Sequence, residues 1–466
     1  MANQNEFPSK LPFRCSVFAD KRKYQRIRPI IRAGGGDAPE CRWSMRIVDC
    51  PLNAGMTELI QQKPLRSFDL IGSATGYKHK VEVTQPATTS RSLVVCFSNL
   101  FRYEQWPLAL ATVELYLRYG ADLLVIPIAS VLLELYTVLE TYEQNGQVQL
   151  KPAVVVPWMR GQRGNPSYES AGFHHILTYT ECLYEFRESA DFILNVDMDD
   201  IVLPSDEIGH GDLLWELQRL AHNNPTAAAF EFSLFFATTS ITSIPQSFSI
   251  GRMLEDVQVD KLTSRVPYGR FVIRPSRLRR AFIKSPHATH DLLPSYDLVR
   301  LDSDHRVTAL RFRPPGVTEF EWKQTSLMPT SSHFGTNRTY FNEFDQNFST
   351  FLENNSVAKQ EFYKLPTTRH RAVAAAHSAC YAEVWRQLDS HDTCPSLLKC
   401  LDSSSLLDDS TKQIAPPVPC ILMTTLAEHT RMRGNLFVDS LSEISFREHQ
   451  HCHWNAGKDA GLFRYS

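Results

Sequence analysis

Several common signatures are missing from this 466-residue chain, and each absence narrows its chemistry. Its ten cysteines form no C-x-x-C pair, which argues against a zinc ribbon or a thioredoxin-type site. Neither G-x-G-x-x-G nor G-x-x-x-x-G-K-[ST] occurs, so no Rossmann fingerprint or P-loop is available to hold phosphates. Long apolar runs are scarce: the richest, "LLVIPIASVLLELYTVL" from Leu123, is broken by Pro127, Ser130 and Glu134, is short for a membrane span and reads as core. The opening "MANQNEFPSKLPFRC" has no apolar stretch behind its charges, so no signal peptide is read there. A dominant charge of one sign is also lacking. With a formal net charge of -2, blanket neutralisation of nucleic-acid phosphates is not expected, and the basic runs Lys21–Arg28 and Arg277–Arg280 read as solvated faces. No internal repeat is found.

What remains is a chain with 43% hydrophobic residues, enough for one large domain with appendages or for two to three domains. Residues 1–90 mix basic runs, the Gly34–Gly36 triplet and scattered prolines without a sustained period, and are read as a stem-like N-terminal region. From Ser92 the pattern becomes regular. "SLVVCFSNL" predicts a strand, and Trp106–Tyr119 a helix opened by Pro107 and stopped by Gly120. "ADLLVIPIA" predicts the next strand. A helix follows with Ser130 as N-cap and the stripe Val131, Leu135, Val138, Leu139 and Tyr142. "VQLKPAVVVPW" then gives a strand, and Ser170–Arg187 a helix with the stripe Phe173, Ile176, Leu177, Thr180, Leu183 and Tyr184. A fourth strand, "ADFILNV", completes an alternation that predicts an α/β domain with a mostly parallel, helix-covered sheet. Further on come a helix near Asp212–His222 and the strands "AAAFEFSLFF", "GRFVIRP" and "VTALRFRP". Residues 346–466 read as a partly helical C-terminal extension with no assigned role. Sequons at Asn337, Asn347 and Asn354 suit an exposed loop in a secretory compartment.

The fourth strand runs straight into three carboxylates, "ADFILNVDMDDI". Two unit charges about 4 Å apart repel by roughly 4 kcal/mol at an effective dielectric near 20, so Asp197, Asp199 and Asp200 need an offset. Strand alternation puts Asp197 and Asp199 on one face and Asp200 on the other. Ligands bind at the carboxyl ends of strands in open parallel sheets, and two carboxylates there suit Mn²⁺ or Mg²⁺ carrying a substrate's phosphates.

The blocks "LVVCFSNLFRYEQW", "VELYLRYGAD", "VLETYEQNG", "ECLYEFRESADFILNVDMDDIVLP" and "GRFVIRP", with the histidines after them, resemble in this order those of glycosyltransferase family 92, over roughly residues 90–330. The resemblance implies a GT-A-like, Rossmann-type sheet over residues 91–345, a D-x-D metal site and a UDP-sugar donor. It implies inverting transfer of a hexose, most plainly galactose, to a glycan hydroxyl in the Golgi lumen, with membrane association only through an anchor not seen in this chain. Carried over residue by residue, Asp197 serves the nucleotide and the metal, Asp199 ligates Mn²⁺, and His287 completes the shell with His290 as its rival. Arg270 and Arg274 pair with phosphate oxygens. Glu255 is the general base and Asp256 its runner-up. Asp200 stands where the family usually has Glu, which shortens its reach. Cys96 and Cys182 resemble family cysteines, either bridged to partners elsewhere or buried as thiols.

Weaker features are Trp158, Tyr168 and Trp215, either sugar platforms or core, and the alternating His449, His451 and His453 around Cys452 in the tail. Two other functions fit the same carboxylates: a non-catalytic glycan-binding or scaffold protein on this fold, and a metal-dependent phosphoesterase.

Overall fold

A computed structural model describes residues 13–20, 23–33, 46–62, 65–72, 78–100, 105–128, 130–153, 173–204, 212–239, 244–260, 270–281, 291–301, 307–312, 338–366, 418–431 and 437–452, with the short pieces 2–3, 43–44, 103 and 327–329. The central element is a seven-stranded sheet in the order Val148–Pro152, Leu123–Ile128, Arg91–Phe97, Ala190–Val196, Arg270–Ile273, Ala227–Phe232, Asp297–Leu301. Pairing is parallel everywhere except on the two sides of Arg270–Ile273, the one strand of this sheet that opposes the rest. The mostly parallel, helix-covered α/β architecture expected of a GT-A-like domain is therefore present.

Burial explains the arrangement. Strands covered on both faces read as continuous apolar runs, and Leu93–Phe97, Leu123–Ile128 and Phe192–Val196 are buried along their lengths. The Trp106–Arg118 helix lies in the same core and is buried from Trp106 to Tyr116. Gly120 ends it at φ 89°, where a Cβ would also lie 2.9 Å from the Asp212 carboxylate, so the stop is required twice over.

A second sheet has the order Asp200–Pro204, Val307–Phe312, Leu234–Thr238, Gln258–Asp260, Leu327–Pro329. "AAAFEFSLFF", expected as one strand, is cut at Ser233: Ala227–Phe232 stays in the first sheet and Leu234–Thr238 joins the second. The same exchange happens after Val196, where the chain turns and restarts at Asp200 in the second sheet. Both passages look like single strands in sequence because each half is apolar and buried.

Other expectations are corrected. Ser130 does not cap a helix. Ser130–Leu132 pairs antiparallel with the Val418–Arg431 strand, and the helix starts at Leu133, its stripe buried as anticipated. In the Phe173–Phe186 helix the inward residues include Tyr179 and Cys182, while Tyr184 is 39% exposed. The N-terminal region is more than a stem: Lys23–Ile27, Phe13–Asp20, Ser67–Gly72 and Lys78–Glu82 form an antiparallel sheet with its own small core and a Cys15–Cys50 disulfide. Arg277 is tied down as well, donating to the carbonyls of Pro225 and Ala227, and Arg280 pairs with Asp291, so this basic run is not a solvated face.

Residue 345 falls inside the Arg338–Asn354 helix, which with Ser356–Phe362 buries Phe344, Phe348, Leu352, Ala358 and Phe362 in the main core. We propose on this ground that the domain extends to about residue 365. Asn347 and Asn354 lie exposed on that helix rather than in a loop, and Asn337 is outside the described residues.

Three helices meet at the buried Glu114, which accepts a hydrogen bond from Tyr142, itself stacked at 3.9 Å on Phe351. Burial raises the Glu114 pKa from 4.5 to about 7, partly offset by the Tyr142 hydrogen bond. Below pH 4.5 the carboxyl is protonated whether the chain is folded or not. Between 4.5 and about 7 only the folded state keeps the proton, so stability falls as pH rises through that window and then levels off. Glu114→Gln is expected to remove this slope and to raise stability at pH 8 by on the order of 3 kcal/mol. Urea unfolding at pH 5 and pH 8 checks it; an unchanged slope would contradict the assignment.

Candidate active site

The candidate site is built on the turn between the two sheets. Each fully buried side chain of the strand leading into it contributes roughly 1.5–3 kcal/mol, which holds the strand end rigid against the acids that follow. After Val196 the strand breaks. The Asp200 N–H donates to the Asp197 carbonyl at 3.0 Å, and the Asp197 N–H donates back to Asp200 Oδ2 at 3.1 Å. This tight turn replaces the alternation expected from sequence. It brings Asp197 and Asp200 together, with Asp199 beside them and less buried.

Arg270 offsets the repulsion. It lies on the one opposed strand, whose register sets Phe271 across from Asn195 and so brings Arg270 to the carboxyl end of Ala190–Val196. Its Nη2 is 2.7 Å from Asp197 Oδ2, and its Nε and Nη2 both reach Asp200 Oδ2. The Asp200 side chain is 0% exposed, Arg270 11% and Asp197 13%. Tyr179 Oη also faces Asp197 Oδ1 at 3.4 Å.

The Trp106–Arg118 helix clamps the turn from the core side. Thr112 Oγ1 donates to the Met198 carbonyl at 3.0 Å, and Tyr116 Oη donates to the Asp200 carbonyl at 2.9 Å while accepting from the Val202 N–H at 3.2 Å. Burial foremost, with the Asp200 charge behind it, holds the Tyr116 phenol well above its usual pKa, so it remains a donor. These two residues, and Tyr179, escaped the sequence reading. The available signal was a pair of hydroxyl groups four apart on a largely apolar helix, a spacing that points both at one target.

From the opposite side the Cys96–Cys182 disulfide joins the Arg91–Phe97 strand to the helix that carries Tyr179. Thr178 Oγ1 on that helix donates to Asn99 Oδ1 at 2.7 Å, just beyond the end of the same strand. These links fix the crevice between the first and fourth strands, where strand order reverses and ligands of such sheets bind.

One carboxylate oxygen from each of Asp197, Asp199 and Asp200 lies within 4.8 Å of the others. Hard oxygen donors at that spacing fit Mn²⁺ or Mg²⁺. With Asp200 turned inward to Arg270, Asp197 and Asp199 are the residues placed to hold an ion.

The remaining expected residues separate. Arg274 lies four residues along its strand, about 13 Å from Arg270. It falls towards the opposite edge of the sheet, where Asp191 and Tyr296 act on it, away from the aspartate turn. Arg270 is held by two carboxylates and is first a counter-ion. Glu255 and Asp256 are exposed at the end of the Ile250–Glu255 helix, whose start is fixed by Asp345 through Ser249 Oγ and the Ile250 N–H, both at 2.6 Å. The hydrogen bonds that organise the aspartate turn come from other elements. Trp215 is half-exposed on its helix rather than in the core. His287, His290, Trp158 and Tyr168 lie outside the described residues.

A GT-A-like α/β domain with an acidic turn at the carboxyl edge of its sheet is the class this geometry defines. The sequence profile described as Glycosyltransferase family 92 matches residues 91–363, and the chain belongs to that family. It is similar to the Caenorhabditis elegans glycosyltransferase family 92 protein F13G3.3, at 27% identity over 42% of this chain and 38% of that protein. A second relative from the same organism, glycosyltransferase family 92 protein F59C6.8, is 26% identical over 45% of this chain and 39% of its own length. The chain thus spans about two fifths of the length of these curated relatives.

Arg270→Met removes the guanidinium facing both buried carboxylates and is expected to cost about 3–5 kcal/mol in urea unfolding. Adding Asp200→Asn should restore part of that loss. A change below about 0.5 kcal/mol for the single variant would contradict the counter-ion role.

Proposed function

We propose that this chain is a metal-dependent, inverting glycosyltransferase that moves a hexose, galactose in our reading, from a UDP-sugar to a glycan hydroxyl. Family membership supports sugar transfer, and the single observation that carries the metal-dependent reading is the convergence of Asp197, Asp199 and Asp200 at the switch point of the sheet. Asp197 and Asp199 would hold Mn²⁺ or Mg²⁺ against the donor diphosphate. The ion, when bound, supplies positive charge that stabilises the departing UDP.

The chain's own part is placement and proton transfer. Arg270 fixes Asp197, Thr112 and Tyr116 fix the backbone of the turn, and His287 remains the proposed third side-chain ligand. Glu255, with Asp256 as the alternative, would accept the acceptor hydroxyl's proton. As that oxygen bonds to the anomeric carbon, the bond from this carbon to the diphosphate breaks. The described disulfides Cys15–Cys50 and Cys96–Cys182 support an oxidising compartment, and a Golgi lumenal site is proposed on that basis together with the family. Among the described residues no helix is long and apolar enough to cross a membrane.

A second reading, a glycan-binding scaffold without turnover, is favoured by one observation: Arg270 already engages two of the three carboxylates. Incubation with radiolabelled UDP-galactose, Mn²⁺ and a glycan acceptor separates the two. Transfer, or slow donor hydrolysis, is expected and should be lost with EDTA and reduced by two orders of magnitude or more in Asp199→Asn. Glycan binding without donor turnover in the wild type would favour the scaffold. Glu255→Gln should lower kcat by about 10²–10⁴-fold with donor binding retained; a kcat within twofold of wild type would move the base elsewhere.

A further inference from the structure

Tyr103 lies between the Arg91–Phe97 strand and the Trp106–Arg118 helix, beyond the carboxyl end of the first strand. Its backbone is anchored by a parallel bridge to Val131 and by the Leu132 N–H, which donates to its carbonyl at 3.4 Å. Its ring packs against the main core. Its hydroxyl, however, is buried with no hydrogen-bond partner among the described residues. Burial, and after it the charge of Asp199, hold this phenol well above its usual pKa, so the O–H is an intact donor close to the aspartate turn.

Three observations converge. Tyr116, on the helix that follows, also has a buried hydroxyl but spends it on the backbone of the turn. The Tyr103 hydroxyl has no such use among the described residues, and buried donors are rarely left unmade without a ligand, water or ion to complete them. The group that acts on it electrostatically, Asp199, is the least buried member of the acidic cluster.

We infer that the Tyr103 hydroxyl donates a hydrogen bond to a phosphate oxygen of a nucleoside diphosphate seated beside Asp197 and Asp199. The inference rests on the functional reading above and adds a donor-binding residue that acts with the metal ligands. A hydrogen bond to a charged oxygen is among the stronger ones, and losing it should weaken binding about tenfold.

Calorimetry with UDP and Mn²⁺, and with Mn²⁺ alone, tests it on the full chain with Tyr103→Phe, which removes only the oxygen. Expected are an approximately tenfold weaker UDP·Mn²⁺ Kd, an unchanged Mn²⁺ Kd and a denaturant midpoint no lower than wild type. Equal UDP·Mn²⁺ binding by both proteins would overturn the inference while leaving the transferase reading intact. Loss of Mn²⁺ binding itself would overturn the phosphate assignment. Wild-type protein that binds no UDP with Mn²⁺ would overturn the inference and the functional reading together. Should the Phe variant fail to fold, 3-fluorotyrosine at position 103 in the otherwise wild-type chain gives the same answer. Its ¹⁹F resonance should shift with UDP·Mg²⁺ and not with uridine, and an unmoved resonance would overturn the proposal.

Discussion

The ion pair of Arg270 with Asp197 and Asp200 is the constraint from which the rest of the domain's architecture follows. A fully buried carboxylate cannot stay ionised next to a second one without a positive partner, and the strand that brings a guanidinium to that point is the one running against its neighbours. The opposed strand thereby joins the first four strands to the last two and delivers the counter-ion in the same act. Once Asp200 is satisfied internally, the chain turns there and begins the second sheet.

The consequence is a division of labour among three acids adjacent in sequence. Asp200 is structural, Asp197 is shared between Arg270 and the crevice, and Asp199 is the least buried of the three, on a turn whose carbonyls are gripped from below by Thr112 and Tyr116. A site assembled in this way is pre-organised. Its side chains are set by packing and by hydrogen bonds from helices on both faces of the sheet, so little reorganisation is left for a ligand to drive.

Much of this was legible in the sequence, for identifiable reasons. The α/β alternation, the place of the acids at the end of a buried strand and the family resemblance all come from long apolar patterns or ordered blocks. Where the reading failed, the missing information was three-dimensional. Strand alternation misassigned Asp200 because the turn after Val196 carries no glycine or proline to announce it. The split of "AAAFEFSLFF" was hidden because both halves are apolar. Arg270 was expected on phosphate and is found on carboxylates because only the antiparallel register reveals what stands opposite it. Arg274, four residues on, was placed at the site by the family resemblance of "GRFVIRP", and the rise of the strand sets it about 13 Å from Arg270.

The central claim is that the acidic turn holds a divalent ion on its outward side while Arg270 keeps the inward side neutral. A crystal of the protein soaked with Mn²⁺ and UDP, with anomalous scattering recorded near the manganese edge, tests this most directly. The account predicts one strong peak within ligand distance of Asp197 and Asp199, with Arg270 still seated on Asp200. A peak bound elsewhere, or an ion that displaces Arg270 to reach Asp200, would contradict it.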